Sequence, residues 1–120
     1  MLMNMKDILA VAKENKFALP AFNISDYSMF LGIMDVCEET DSPVIIEIHP
    51  DELTFIGAEM VMAIKERAYK SSVPVCIHLD HCEDFGKIIW AIQSGFTSVM
   101  FDGAHLSFEE NIAGTKKIVE

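Results

Sequence analysis

Short apolar runs and longer amphipathic stretches alternate along the whole chain. The apolar runs, such as Val44–Ile48, are rich in β-branched residues and too short for helices, which is typical of strands buried on both faces. The stretches between them carry apolar residues at helical spacing. The pattern predicts helices over 5–15, 27–40, 55–69, 85–93 and 108–120, and strands over 17–22, 44–48, 73–79 and 97–101.

Helix start and stop signals agree with these boundaries. Side chains that cap helix N-termini precede four of the five predicted helices, and Gly95 is placed to end one of them in a left-handed conformation. The caps are Asn4, Ser25 or Asp26, Asp84, and the capping box of Ser107 and Glu110. The apolar spacing also predicts buried helix faces, made by Ile8, Leu9, Val11 and Ala12 in the first helix and by Ile88, Ile89 and Ile92 in the fourth.

Strands that alternate with helices of this length form parallel βαβ units, so the fold class is α/β. Ligands bind such folds beyond the carboxyl ends of the strands. Polar residues lie at the carboxyl end of each predicted strand, which favours an active site over ordinary loop polarity. They are Asn23, Glu47 with His49, Asp80 with His81, and Asp102 with His105.

Two of these positions have an equally ordinary structural interpretation. From spacing alone, Asn23 is better explained as a turn residue than as a ligand contact. His49 is either a solvated loop histidine or a pocket residue, and the sequence does not choose between them.

Residues 76–82, Cys-Ile-His-Leu-Asp-His-Cys, contain the highest concentration of candidate catalytic and metal-binding side chains in the chain. Adjacent histidine and aspartate at a strand end are typical of a metal site or of acid/base catalysis. The structural alternative is a strand-terminal turn whose polar side chains are solvated.

Composition narrows the function further. At 120 residues with 51% hydrophobic content, the chain is one domain at most and has enough apolar residues for a core. A formal charge of −10 argues against nucleic acid and anionic membranes as partners. No apolar run is long enough for a membrane span, and no secretory signal is predicted. The three cysteines are odd in number and lack CxxC spacing, which predicts free thiols in a reducing cytoplasm.

Several motifs, in this order and spacing, resemble the class II ketose-bisphosphate aldolases, the family of fructose- and tagatose-bisphosphate aldolases. The resemblance covers essentially the whole chain but does not specify the substrate. The motifs are Pro20-Ala-Phe-Asn-Ile24, Ser42-Pro-Val-Ile-Ile46, His78-Leu-Asp-His81, Gly95-Phe-Thr-Ser-Val-Met100, Asp102-Gly-Ala-His105 and Phe108-Glu-Glu-Asn-Ile-Ala-Gly-Thr-Lys116.

The resemblance implies a TIM (β/α)8 barrel, a fold that takes roughly 250 residues. Residues 1–120 would then be a single domain comprising the extra N-terminal helix and four βα units, about half a barrel. The two later zinc histidines, the phosphate-binding loops and the enolising base of the family have no counterpart in this sequence.

Site roles also follow from the resemblance. Asp80 matches the acid/base residue, His81 one of three zinc ligands, and Asp102 an acidic residue associated with a second cation. Asn23 matches a residue near the substrate. His49, Glu47 and His105 are pocket candidates, and supporting roles are expected for His78 and His105.

The implied activity is reversible cleavage of a fructose- or tagatose-type ketose 1,6-bisphosphate to dihydroxyacetone phosphate and glyceraldehyde 3-phosphate. Zn²⁺ would act as the Lewis acid, with a monovalent cation as a further cofactor of the full-length enzyme and a homodimer or homotetramer as the assembly. No lysine lies at a predicted strand end, so a Schiff-base nucleophile is not apparent. A chain with one zinc histidine is expected to be inactive by itself.

Departures from the family pattern keep two alternatives open. Cys82 stands where a glycine or another residue is usual, Ala104 replaces a common serine, and residues 47–52 place acidic bulk where a small turn is often seen. The protein could therefore be an aldolase homologue for another sugar phosphate. It could also be a non-catalytic half-barrel that self-associates through its two open sheet edges.

Overall fold

The computed structural model describes residues 1–120 and has the predicted order of one helix followed by four strand–helix pairs. Each amphipathic stretch forms a helix and each β-branched run a strand, which confirms the α/β prediction. The helices are α1 (Met5–Asn15), α2 (Tyr27–Glu39), α3 (Pro50–Tyr69), α4 (Phe85–Ser94) and α5 (Phe108–Val119). The strands are β1 (Ala21–Asn23), β2 (Val44–Ile48), β3 (Val75–Cys82) and β4 (Ser98–Phe101).

The four strands form one parallel sheet in the order β1-β2-β3-β4, so every strand pairs with its neighbour in sequence. One face of the sheet packs against the helices and contains most of the apolar core, including Ile46, Ile77 and Leu79. This arrangement of parallel strands inside a layer of helices is a partial TIM-barrel-like fold.

The opposite face is the inner face of the partial barrel, and its two ends differ in character. Toward the strand N-termini, Ile45 and Cys76 pack against Ile8 of α1, so α1 covers this end. Toward the strand C-termini, polar residues lie in one row across the sheet. Strand register aligns Asn23, Glu47, His78 and Ser98 at the same level.

Most local predictions are confirmed. Asn4, Asp26 and Asp84 accept hydrogen bonds as N-caps, and the capping box at the start of α5 is present. Gly95 ends α4 with a φ of 97°. Cys37, Cys76 and Cys82 are buried free thiols.

The first predicted strand is too long. Pairing starts at Ala21, opposite Ile45, because β2 itself begins at Val44 and leaves residues upstream of Pro20 without a strand partner. The predicted end of β3 is too early, since the strand continues through an irregularity to Cys82.

Helix α3 begins at Pro50 instead of Phe55, because His49 caps it and proline suits the first helical turn. Gly57, with φ 73° and ψ 171°, interrupts this helix. Its two parts therefore have different directions.

Some predicted helix faces are also narrower than expected. Ile88 is fully buried, but Ile89 and Ile92 are 36% and 45% exposed. In α1, Ile8 and Ala12 are buried whereas Leu9 and Val11 are about half exposed. None of the helices is both long and apolar enough to cross a membrane.

Candidate metal and acid/base site

The polar strand ends predicted from the sequence converge at the carboxyl edge of the sheet. Asp80, at the end of β3, is the centre of this group, and its side chain is 17% exposed. The Asn23 side chain reaches it from β1, with Nδ2 donating to Oδ2 of Asp80 at 3.5 Å. Asn23 is thus the last residue of β1 and not part of a turn, and it lies beside Asp80.

His81 is held against Asp102 of the neighbouring strand end. Its Nδ1 lies 2.7 Å from Oδ2 of Asp102, and its Nε2 lies 3.8 Å from Oδ1 of Asp80. The ring is about half exposed at the mouth of the partial barrel. The hydrogen bond with Asp102, and the charge of Asp80 after it, raise the pKa of His81.

An irregular backbone turns His81 toward the mouth. The register shifts between Leu79 and Cys82, and His81 has a φ of 47°, a conformation that costs about 1 kcal/mol or more in a residue other than glycine. Bulges of this kind re-aim side chains next to active sites. A regular strand, in which side chains alternate between the two faces of the sheet, would not give His81 and Cys82 their observed positions.

Asp102 accepts hydrogen bonds through both of its oxygens. While Oδ2 faces His81, Oδ1 accepts from the backbone N–H of Ala104 at 3.0 Å. The hydrogen bond with His81 is the main reason that the pKa of Asp102 is lowered. Replacement of a serine by Ala104 leaves this contact intact, because the backbone supplies the donor.

His78 lies deeper, in the polar row on the inner face. It is 9% exposed, its Nδ1 lies 2.8 Å from Oγ of Ser98, and its Nε2 lies 3.9 Å from Oδ1 of Asp80. Burial lowers the pKa of His78, which favours the neutral ring. Sequence reasoning did not single out Ser98, although register with β3 identifies it once the sheet is known.

Glu47 faces the same space from β2. Burial, with a smaller effect of the Asp80 charge, raises the pKa of Glu47. One ligand atom from each of Glu47, His78 and Asp80 lies within 4.8 Å of the others, close enough to hold a metal ion. The structure thus places His78 in a metal-binding geometry that sequence reasoning had not given it.

The remaining two histidines lie outside this centre. Nδ1 of His49 accepts from the backbone N–H of Asp51 at 3.2 Å and caps α3, although its ring also lines a cavity with His81 and Lys87. His105 is exposed, with Nδ1 3.6 Å from a Glu83 carboxylate oxygen. The structure does not bring His105 together with Asp80.

The His81 side chain fits one ligand position of a zinc site. If Nδ1–H is donated to Asp102, the lone pair of Nε2 is free for a metal, which is the usual carboxylate–histidine–zinc arrangement. His81 would supply one of the three protein ligands that a catalytic zinc needs.

Residues 3–120 match a family model described as fructose-bisphosphate aldolase class-II. The chain is 41% identical to a probable fructose-bisphosphate aldolase of Bacillus subtilis; the match covers 99% of this chain and 43% of that protein. It is 38% identical to a sulfofructosephosphate aldolase of Alkalicoccus urumqiensis, with 96% and 40% covered. The crystal structure of the YdjI aldolase from Escherichia coli K12 superposes with a TM-score of 0.93 at 32% identity, covering 99% and 47%. The chain spans less than half the length of each of these relatives.

Proposed function

Because this chain belongs to the class II fructose-bisphosphate aldolase family, we propose that its strand ends supply one part of the active site of a zinc-dependent aldolase. The 2.7 Å contact between His81 and Asp102, with Asp80 beside it, is the observation that carries the proposal. Residues 1–120 act as a single domain, the N-terminal half of the barrel.

His81 is the residue proposed to hold Zn²⁺, with Asp102 as its positioning residue. Both Asp102 oxygens already accept hydrogen bonds, which favours positioning over the second-cation role that the sequence resemblance implies. When bound, zinc supplies Lewis-acid polarisation of a substrate carbonyl.

Asp80 is the residue proposed to move the proton. It takes a proton from the C4 hydroxyl during cleavage and returns it to the aldehyde oxygen during condensation. Its low exposure and its contact with the Asn23 amide hold the carboxylate in one place, as general acid/base catalysis requires. Asn23 has a second amide hydrogen for a substrate oxygen.

The proposed substrate is a ketose 1,6-bisphosphate of the fructose or tagatose type, cleaved to dihydroxyacetone phosphate and glyceraldehyde 3-phosphate. A different sugar phosphate is the alternative, supported by the 38% identity to a sulfofructosephosphate aldolase and by the acidic residues at 47–52. The full-length enzyme is proposed to be a cytoplasmic homodimer or homotetramer, and a monovalent cation remains a proposed cofactor.

The 120-residue chain alone should show negligible turnover because it lacks the other zinc ligands. A chimera tests the site itself, with this chain replacing the N-terminal 43% of the Bacillus subtilis relative. The chimera should cleave fructose or tagatose 1,6-bisphosphate and lose activity with a chelator. Asp80→Asn should lower kcat by about 10²–10⁴-fold, whereas Glu39→Gln, which changes an exposed glutamate at the end of α2, should have little effect.

Two results would contradict the proposal. One is a folded, zinc-loaded chimera without turnover on any ketose bisphosphate, and the other is full activity of the Asp80→Asn variant. Turnover by the isolated chain would contradict the expectation that a half-barrel is inactive.

Self-association of two half-barrels is the second candidate, favoured by the exposed edge of the sheet. All three residues of β1 are exposed, and Phe108 and Val119 of α5 are 76% and 80% exposed at the other end. Light scattering on the purified 120-residue chain should then give twice the monomer mass. A monomer at all concentrations would exclude this candidate.

A further inference from the structure

We infer that Glu47, His78 and Asp80 form a divalent-cation site on the inner face of the sheet, with a ligand set that does not include His81. This inference rests on the side-chain geometry alone and not on aldolase activity. It assigns a ligand role to two residues, Glu47 and His78, that the proposed catalytic step does not use.

The spacing of the three side chains suits a small cation. Their ligand atoms lie within 4.8 Å of one another, and His78 Nε2 is 3.9 Å from Asp80 Oδ1. A cation about 2.1 Å from each ligand requires ligand atoms roughly 3–4 Å apart. Ligand atoms that are up to 4.8 Å apart would therefore move closer together when the ion binds.

The orientation of His78 is the second, independent observation. Its imidazole is 9% exposed, and Ser98 binds Nδ1 at 2.8 Å. If Nδ1 carries the hydrogen, the lone pair of Nε2 is directed toward the carboxylate of Asp80. A hydroxyl that fixes the tautomer of a buried histidine is what a metal ligand needs.

Acidic side chains predominate in this space. Two carboxylates and the imidazole of His78 face one another, with Nδ2 of Asn23 3.5 Å and Nε2 of His81 3.8 Å from the Asp80 carboxylate. Buried charges are normally paired or bound to metals. A divalent ion would satisfy all three acceptors at once.

The ligand set limits the kind of cation. One imidazole and two carboxylates suit Zn²⁺, Co²⁺ or Mn²⁺, whereas Ca²⁺ and Mg²⁺ prefer oxygen ligands alone. Since Asp80 is common to this site and to the proposed proton transfer, an ion bound here would withhold the Asp80 carboxylate from the substrate.

Cobalt titration of the 120-residue chain tests the inference, with visible absorption as the readout. The titrations use a His81→Ala background, which removes the proposed zinc ligand at the mouth. That variant should still bind Co²⁺. Adding Glu47→Gln should weaken the binding at least tenfold, while adding Glu39→Gln, which changes an exposed glutamate on α2, should leave it unchanged.

Ser98→Ala gives a second measurement that does not alter any ligand. Loss of an outer hydrogen bond typically costs 10–100-fold in metal affinity, so Co²⁺ should bind more weakly by that factor. Paramagnetic shifts of the His78 ring protons in the His81→Ala protein would locate the ion. Circular dichroism of each variant separates loss of binding from loss of fold.

The inference is overturned if a folded His81→Ala protein binds no Co²⁺, or if Glu47→Gln leaves its affinity unchanged. Because no turnover is measured, either result leaves the proposed aldolase activity untouched. Conversely, an inactive chimera that keeps this cobalt site would remove the proposed function only.

Discussion

His81 and Asp102 are 21 residues apart in sequence, yet Nδ1 of one lies 2.7 Å from Oδ2 of the other. The contact arises because β3 and β4 are parallel neighbours, so their carboxyl ends meet at the same edge. Helix α4 lies between them in sequence and returns the chain to the start of the next strand.

This contact predicts the titration of His81 in the metal-free protein. The Asp102 carboxylate raises the pKa of His81 above its usual value of 6.5, because it stabilises the charged imidazolium. Asp102→Asn should therefore lower that pKa, with Asp80 still opposing a complete return. NMR titration of the His81 Hε1 resonance measures the change. Glu83→Gln, whose carboxylate faces His105 instead, is the control, and equal titration curves for wild type and Asp102→Asn would contradict the prediction.

The two isoleucines on α4 should differ greatly in their effect on stability. Ile88 is fully buried and Ile92 is 45% exposed. Ile88→Ala should lower the free energy of unfolding by about 2–4 kcal/mol, through lost burial and a residual cavity. Ile92→Ala should change it by less than about 1 kcal/mol. Urea denaturation measures both, and similar losses would mean that the helix packs on another face.

Two glycine substitutions should have effects of opposite sign. Gly95 ends α4 with a φ of 97°, and a Cβ there would lie 2.6 Å from Cδ of Lys65. Gly95→Ala should destabilise the protein by about 1 kcal/mol or more. Gly32 lies within α2 with no neighbouring atom inside 4 Å of its added Cβ, so Gly32→Ala should stabilise it by roughly 0.5–1 kcal/mol. Thermal unfolding measures both changes in stability. A stabilising Gly95→Ala or a destabilising Gly32→Ala would contradict the prediction.

Glu38 and Arg67 predict how stability depends on acid. The Arg67 guanidinium binds both Glu38 oxygens, at 2.8 and 2.6 Å. This hydrogen bonding, with a smaller effect of the Ser71 side chain, lowers the pKa of Glu38 from 4.5 to about 2. Because the folded-state pKa is the lower one, the contribution is complete above pH 4.5 and is lost as the pH falls through about 2.

Glu38→Gln should therefore cost about 1–2 kcal/mol at pH 7, allowing for partial exposure of the pair. The cost should shrink as the pH is lowered from 4.5 toward 2. Glu66→Gln, which removes an exposed ion pair with Lys70, should cost much less than Glu38→Gln, because solvent screens that pair. Urea unfolding of both variants across this pH range measures the two costs. If the cost of Glu38→Gln does not depend on pH, its cause is lost packing.

The regular parts of the fold were predictable because hydrophobic period and capping side chains act locally. Asp84, Gly95 and the Ser107–Glu110 capping box mark helix ends without reference to the rest of the chain. The length of β1 depends instead on where β2 begins, and the exposure of Ile92 depends on which helices flank α4. Such features are set by distant residues, so periodicity alone assigned them wrongly.

In the candidate site, too, some features were predictable from the local sequence and others depend on distant residues. The sequence predicts that Asp80, His81 and Asp102 lie at strand ends, and the structure brings these three together. The positive φ of His81 was not predictable, since no glycine or turn signal marks it. Ser98 was not predicted as part of the site because its pairing with His78 depends on the register between β3 and β4.

The order of strands in the sheet matches their order in the chain, and this has a consequence for synthesis. Each strand–helix unit can add to an edge already formed by the preceding unit, without waiting for a later segment to insert. Only α1 must wait, because Leu2 pairs with Val75 and Ile8 packs on Ile45 and Cys76. During translation, the sheet can therefore assemble in the order in which its strands leave the ribosome, and α1 can dock once β3 has emerged.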